Sequence, residues 1–148
     1  MRPKVFFDTN VLMDLVVHDR PGSESALMVM SLVKHHVIEA EVTTQSLLDA
    51  VYIARREGTP FNQVHTFMME LVRYVNIGYI DSDCFMSALE NPTDDFEDAA
   101  QYHSAKMWVC DYFLTRDKGI LARDDSKDVI RIITPEDFLI NMIKEEEV

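Results

Sequence analysis

The sequence predicts an α/β fold: a three-layer α/β/α sandwich around a mainly parallel sheet. Three observations predict it. Short apolar runs recur at 5–7, 37–43, 75–80, 109–114 and 129–133. Helices or helix pairs, with apolar residues at steps of three and four, alternate with those runs, which favours parallel strands under covering helices. No internal repeat, linker or low-complexity block interrupts the 148 residues, so residues 1–148 read as a single domain large enough to bury a core.

Val5 to Phe7, flanked by Pro3 and Asp8, reads as a buried strand. Asn10 can cap a helix whose apolar positions are Val11, Leu12, Leu15 and Val16, and residues 18–22, HDRPG, break it. Ser23 opens a second helix with Ala26, Leu27, Met30, Leu32 and Val33 on its apolar face. VIEAEVT, 37–43, alternates poorly but fits a strand. A third helix starts near Thr44, carries Leu47, Leu48, Val51 and Tyr52, and stops at Gly58. Thr59-Pro60 begins a fourth, with Phe61, Val64, Phe67, Met68, Leu71 and Val72 in helical spacing.

VNIGYI, 75–80, looks like a strand; Asp81 or Ser82 caps a short helix to Leu89, ended by Asn91-Pro92-Thr93. Asp94 starts a helix to about Trp108. VCDYFL, 109–114, reads as a strand and leads into Thr115-Arg116-Asp117. A short helix is expected over 118–122 and a last strand over Val129 to Ile133. Thr134-Pro135-Glu136-Asp137 is a capped start for a C-terminal helix through Ile143, with 143–148 expected to fray as a solvated tail.

Apolar residues make up 47% and charged residues 27%, an ordinary globular balance. No stretch approaches the length of a membrane span, and the first residues lack a signal peptide's apolar region, so a soluble, cytoplasmic protein is expected. Cys84 and Cys110 form no metal-binding spacing and read as reduced, partly buried thiols. The net charge is −12, from 26 acids against 14 bases. A general nucleic-acid binder would carry the opposite sign. An enzyme that gathers cations with clustered carboxylates is still allowed, so the position of the acids decides the matter.

In parallel α/β sheets, sites lie beyond the carboxyl ends of the strands. Asp8 follows the first strand and Asp117 the fourth. Turn or cap formation accounts for Asp8-Thr9-Asn10 equally well on local grounds. In DDFEDAAQYHSA, Asp94 and Glu97 fit a capping box, whereas Asp98, at the limit of the first turn, is poorly explained by capping. Asp95 shares roughly the face of Asp98. Asp49 lies mid-helix in SLLDAVY, where it has no propensity reason to be; a solvated face and a functional one both fit. Four such acids at one edge would repel unless cations neutralise them, and hard oxygen ligands suit Mg²⁺ or Mn²⁺. Such a site activates water and stabilises charge on a phosphodiester. No Ser-His pair, Gly-rich phosphate loop or His-Glu-x-x-His pattern competes with it.

With those residues in hand, the sequence resembles the PIN domain family. FFDTNVLMDL, TTQSLLDAVYIARR, DDFEDAAQYHSAK and DYFLTRDKGI carry the resemblance, in the family's order, over residues 4 to 133. DFEDA and LTRD look most like the bacterial, VapC-like subgroup that includes toxin ribonucleases of toxin–antitoxin pairs. The resemblance implies a metal-dependent endoribonuclease site in which Asp8, Asp49, Asp98 and Asp117 hold Mg²⁺ or Mn²⁺. Asp49 stands where the family commonly has Glu. Asn10 and Thr115 match supporting polar positions, and Asp95 is an auxiliary acid. Arg116, Lys118 and Arg123 lie near Asp117 and could hold the RNA backbone; ordinary solvated charge explains each one singly as well. The expected partners are an RNA substrate, an antitoxin with a basic segment, and a second copy in a homodimer. A catalytically inactive PIN-like interaction module is the alternative from another class. An aspartyl-nucleophile phosphatase at Asp8 is a further alternative, weakened because Asn10 occupies the place where such enzymes usually carry a second Asp.

Overall fold

The computed structural model describes residues 2–17, 19–90, 96–124 and 129–146. Strands β1 (Lys4–Phe7), β2 (Glu39–Thr43), β3 (Val75–Gly78), β4 (Tyr112–Leu114) and β5 (Arg131–Ile133) form one sheet in the order β3-β2-β1-β4-β5. All four pairings are parallel. The connections carry α1 (Thr9–Val16), α2 (Ser23–Lys34), α3 (Thr44–Arg56), α4 (Phe61–Leu71), α5 (Ser82–Glu90), α6 (Phe96–Met107) and α7 (Lys118–Leu121), and α8 (Pro135–Glu146) follows β5.

Alternation along the strands builds the layers. Val5 and Phe7 of β1, with Leu114 and Ile133, join Val11, Leu12, Leu15, Val29, Ala50 and Phe138 in a core under α1, α2, α3 and α8. Phe6 points the other way and packs with Phe113, Ile132, Ala105 and Ile120 beneath α6 and α7. There the rings of Phe6 and Phe113 stack at 5.0 Å, and Tyr102 meets Phe113 edge-on. β1 is therefore buried on both faces, which is why its apolar residues are consecutive. The sandwich expected from the sequence is the one observed.

β2 and β4 are shorter than their apolar runs because helix ends occupy the first residues of those runs. At the end of α2, His36 has φ 59° and the Val37 N–H donates to Leu32 O at 2.9 Å. At the end of α6, Val109 has φ 55° and the Cys110 N–H donates to Ala105 O at 3.0 Å. Gly58, at φ 98°, ends α3 in the same way, with the Thr59 N–H on Ala54 O. All three are left-handed Schellman closures. Only the one made by glycine announces itself in sequence. Two further boundaries differ. Asp8, not Asn10, is the N-cap of α1, and α8 continues past Ile143 to Glu146.

A buried ion-pair network locks the layer beside the sheet's carboxyl edge. The Asp14 side chain on α1 is 3% exposed and receives the Nε of both Arg20 and Arg116. The Arg116 Nη1 also reaches both carboxylate oxygens of Glu136 on α8, at 2.7 and 2.9 Å, and Nη2 donates to Gly22 O. Breaking such a pair from one side strands a buried charge, at a cost of about 3–5 kcal/mol. Gly22 makes this approach feasible, since a β-carbon there would collide with the Asp14 carboxylate and the Arg116 guanidinium.

Gly22→Ala should therefore lower stability by about 1–3 kcal/mol, read as a fall in Tm. A Tm equal to that of the parent protein would show that the network can shift freely. Val109→Gly should do the opposite. It relieves about 1 kcal/mol of left-handed strain at a 68% exposed side chain, and should raise Tm by about 2–4 °C.

Candidate functional site

β1 and β4 run in register, with Phe7 opposite Leu114, so the residues that follow them emerge side by side. Sequence order also reverses there: β2 and β3 lie to one side of β1, and β4 and β5 to the other. Crevices of open parallel sheets form at such switch points. Asp8 leaves β1 into this position, and its N–H donates to Leu114 O at 3.1 Å.

Asp8 is 2% exposed, and its carboxylate accepts from donors on both flanking strands' ends. The Thr9 N–H reaches Oδ1 at 2.7 Å, while the Thr115 hydroxyl and the Asn10 amide reach Oδ2 at 2.8 and 3.2 Å. Asn10 Oδ1 in turn accepts the Arg116 N–H, and Thr115 Oγ1 accepts the Asp117 N–H. Asp117 caps α7 by accepting the Ile120 N–H at 3.0 Å. Asp8 and Asp117 are thus held by one chain of hydrogen bonds that runs through Asn10 and Thr115.

Asp8, Asp49, Asp98 and Asp117 all line a single cleft of about 370 Å³, although they come from four separate segments. Asp49 projects from α3, where Gln45 one turn earlier donates to it at 3.4 Å. Asp98 comes from the first turn of α6. Behind them lies a buried polar floor. The Gln101 amide donates to Ser46 Oγ at 2.6 Å and to Thr9 Oγ1 at 3.1 Å, and accepts from Thr43. Gln101 therefore fixes α6 against α1 and α3, and with it the separation of the acids. Among the described residues, no three acidic, histidine or cysteine side chains are spaced to hold one ion directly. Asp95, read as an auxiliary acid, and Asp94, read as a cap, lie outside the described residues.

The cleft contains residues that sequence reasoning missed. Arg20, Glu57 and Glu97 line it too. Arg20 looked like part of a helix-breaking segment, and Glu97 like a capping residue. Glu57 follows Asp49 by two helical steps, a spacing that only an assigned Asp49 makes meaningful. Among the described residues, Arg20 is the one basic side chain in the lining. Its Nε is committed to Asp14 and its Nη1 lies 3.8 Å from Glu57. The guanidinium of Arg116, expected from the sequence as an RNA-backbone contact, is engaged by Asp14 and Glu136. Lys118 and Arg123 are exposed and lie outside the cleft lining.

Comparison with known proteins agrees with this arrangement. A family described as PIN domain matches residues 4–119. The fold is similar to that of VapC20 of Mycobacterium tuberculosis, a sarcin-ricin loop cleaving toxin, with TM-score 0.65 at 15% identity over 86% of this chain and 98% of that one. It is similar to a toxin-antitoxin complex from Klebsiella pneumoniae, with TM-score 0.64 at 19% identity over 88% and 97%. VapBC2 from Rickettsia felis, bound to a DNA fragment from its promoter, gives TM-score 0.59 at 10% identity over 87% and 98%. No curated protein sequence matches the chain. The family match runs from the first residue of β1 into α7 and so spans each of the segments that meet in the cleft: the chain belongs to the PIN domain family.

Proposed function

We propose that the protein is a Mg²⁺- or Mn²⁺-dependent endoribonuclease, the toxin of a toxin–antitoxin pair. The observation that carries this reading is the meeting of Asp8, Asp49, Asp98 and Asp117 in one cleft at the sheet's switch point. Family membership and the likeness in fold to toxin structures support it. Six carboxylates around one arginine form a donor set that suits a hard cation. Mg²⁺ characteristically keeps several waters and takes only one or two carboxylates directly, so the wide spacing of these acids fits a hydrated ion. Asp8 and Asp117, joined through Thr115, would hold it from one wall, and Asp49 and Asp98 from the other.

Such an ion, when bound, lowers the pKa of coordinated water and neutralises charge on the scissile phosphate. The chain's own part is positioning. Thr9, Asn10 and Thr115 hold the Asp8 carboxylate fixed in direction. Asp49 and Asp98 offer acceptors for the proton of an attacking water. Arg20, whose Nε is on Asp14 and whose Nη1 lies 3.8 Å from Glu57, would turn Nη2 towards the phosphate. The full hydrogen bonding of Asp8 fits a ligand better than a nucleophile, and so disfavours an aspartyl phosphatase. An inactive interaction module would have no need to bring four aspartates together.

The acidic cleft suits an antitoxin that inserts a basic segment. Leu48 and Tyr52, one turn apart on α3, and Tyr79 beyond β3 are each at least 66% exposed, which supports self-association through that side. The site of action in this reading is the cytoplasm.

Asp8→Asn is nearly isosteric and should keep the fold at a cost of about 1–3 kcal/mol. It should reduce Mn²⁺-dependent RNA cleavage by about 100-fold or more, measured on purified protein with an EDTA control. Mn²⁺ should raise the Tm of the parent protein and leave that of the variant unmoved. Undiminished cleavage by the variant would remove Asp8 from the mechanism.

A further inference from the structure

Beside the acidic cleft lies a second concavity of about 520 Å³, of a different chemical character. Phe85 of α5 and Phe96 of α6 face it, with Ile80 and Ala100, and its polar groups are Gln45, Asp81, Ser82 and Glu97. The two phenylalanines are 52% and 42% exposed. Two elements carry it into the cleft. On α6, Glu97 lines both depressions. On α3, Gln45 lines the groove, while Asp49, Ile53 and Glu57, each four residues further on, line the cleft. Each such step advances about 6 Å along the helix.

From this continuity we propose that the groove is a nucleobase-binding subsite, which takes a base adjoining the phosphate in the cleft. The proposal rests on the ribonuclease reading and names what reads its substrate. An apolar hollow with exposed aromatic rings beside a phosphate-handling site offers a base a stacking surface and removes it from water. Its volume lies within the range of small-ligand sites. Its polar groups decide orientation and class. In the proposed nuclease the cation of the cleft draws the phosphate there, while the carboxylates of Asp81 and Glu97 keep it out of the groove, so only a base turns inward. The same carboxylates accept hydrogen bonds, and Gln45 can both donate and accept. That pattern favours bases with an exocyclic amine, adenine, cytosine or guanine, over uracil, whose single N3–H donor is flanked by two carbonyls that carboxylate oxygens repel. Asp81 is already oriented, since its Oδ1 accepts the Cys84 N–H at 2.9 Å.

Nucleosides test this directly, because they are uncharged and need no metal. Adenosine, cytidine and uridine are titrated into the full chain while the ring resonances of Phe85 and Phe96 are followed by NMR. Adenosine and cytidine should shift both rings, with uridine at least about 5-fold weaker. Phe85→Ala should weaken adenosine by about 5-fold or more, and Phe85→Trp should restore it. With RNA and Mn²⁺, Phe85→Ala should raise KM and leave kcat unchanged. Equal binding of uridine, or Phe85→Ala behaving as the parent protein, overturns the subsite. RNA cleavage whose KM and base preference ignore Phe85→Ala removes the subsite and leaves the ribonuclease reading intact. Nucleoside binding without any RNA cleavage does the reverse. Loss of a dimer on Phe85→Ala in sedimentation, with no nucleoside bound, would make the groove a protein interface and also overturn the proposal.

Discussion

The in-register parallel pairing of β1 with β4 is the constraint on which the site depends. It sets Phe7 against Leu114 and thereby brings residues more than 100 positions apart to one corner. The connections that leave β1 and β4 run over opposite faces of the sheet, which opens the crevice. Stacking of Phe6 on Phe113 reinforces the register from the opposite face. A slip of one residue would turn Phe6 and Phe113 towards the wrong layer and move Asp8 away from Thr115. Hydrophobic alternation and site geometry are two results of the same alignment.

Two polar systems then solve different problems near that corner. The network around Asp14 uses cations that the chain itself supplies: Arg20 and Arg116 satisfy a buried carboxylate, and Glu136 extends the pairing to α8. Its effect is structural, tying α1, the 20–22 turn and α8 to the β4–α7 connection. Among the described residues, the cleft lining gathers six carboxylates around one arginine, Arg20, whose Nη1 lies 3.8 Å from Glu57. Gln101 and its hydroxyl partners carry no charge, so they hold the floor without relieving repulsion above it. That contrast, a paired carboxylate on one side and an excess of acids on the other, is the ground on which cation binding in the cleft is proposed.

Most of the architecture could be read from the chain because strand-forming runs and helical spacing agree with it element by element. Where the reading failed, the reason was local backbone chemistry. His36 and Val109 make left-handed closures that residue type does not advertise, and so the strands were drawn too long at their starts. Asp8 was singled out because a strand ending in a carboxylate is conspicuous, but its cap function was assigned to Asn10. Asp49 is ambiguous in isolation and becomes interpretable only beside the other acids. Arg20 escaped because its position depends on Asp14, a contact across a turn with no sequence period. Arg116 shows the converse: a cation beside a site acid looks available until its partners on α1 and α8 are seen.

The stripe on α3 has a consequence for how such a protein can diverge. Gln45, Asp49, Ile53 and the C-cap Glu57 ride on one rod, so in the proposed ribonuclease whatever shifts that rod would move a recognition group and an ion-facing acid together. Selectivity and turnover would then be mechanically coupled through this helix. Drift towards new targets therefore has its freest route through α5, whose Phe85 borders the hollow without touching the acids. Such a division would let relatives vary what they choose while conserving how they cut.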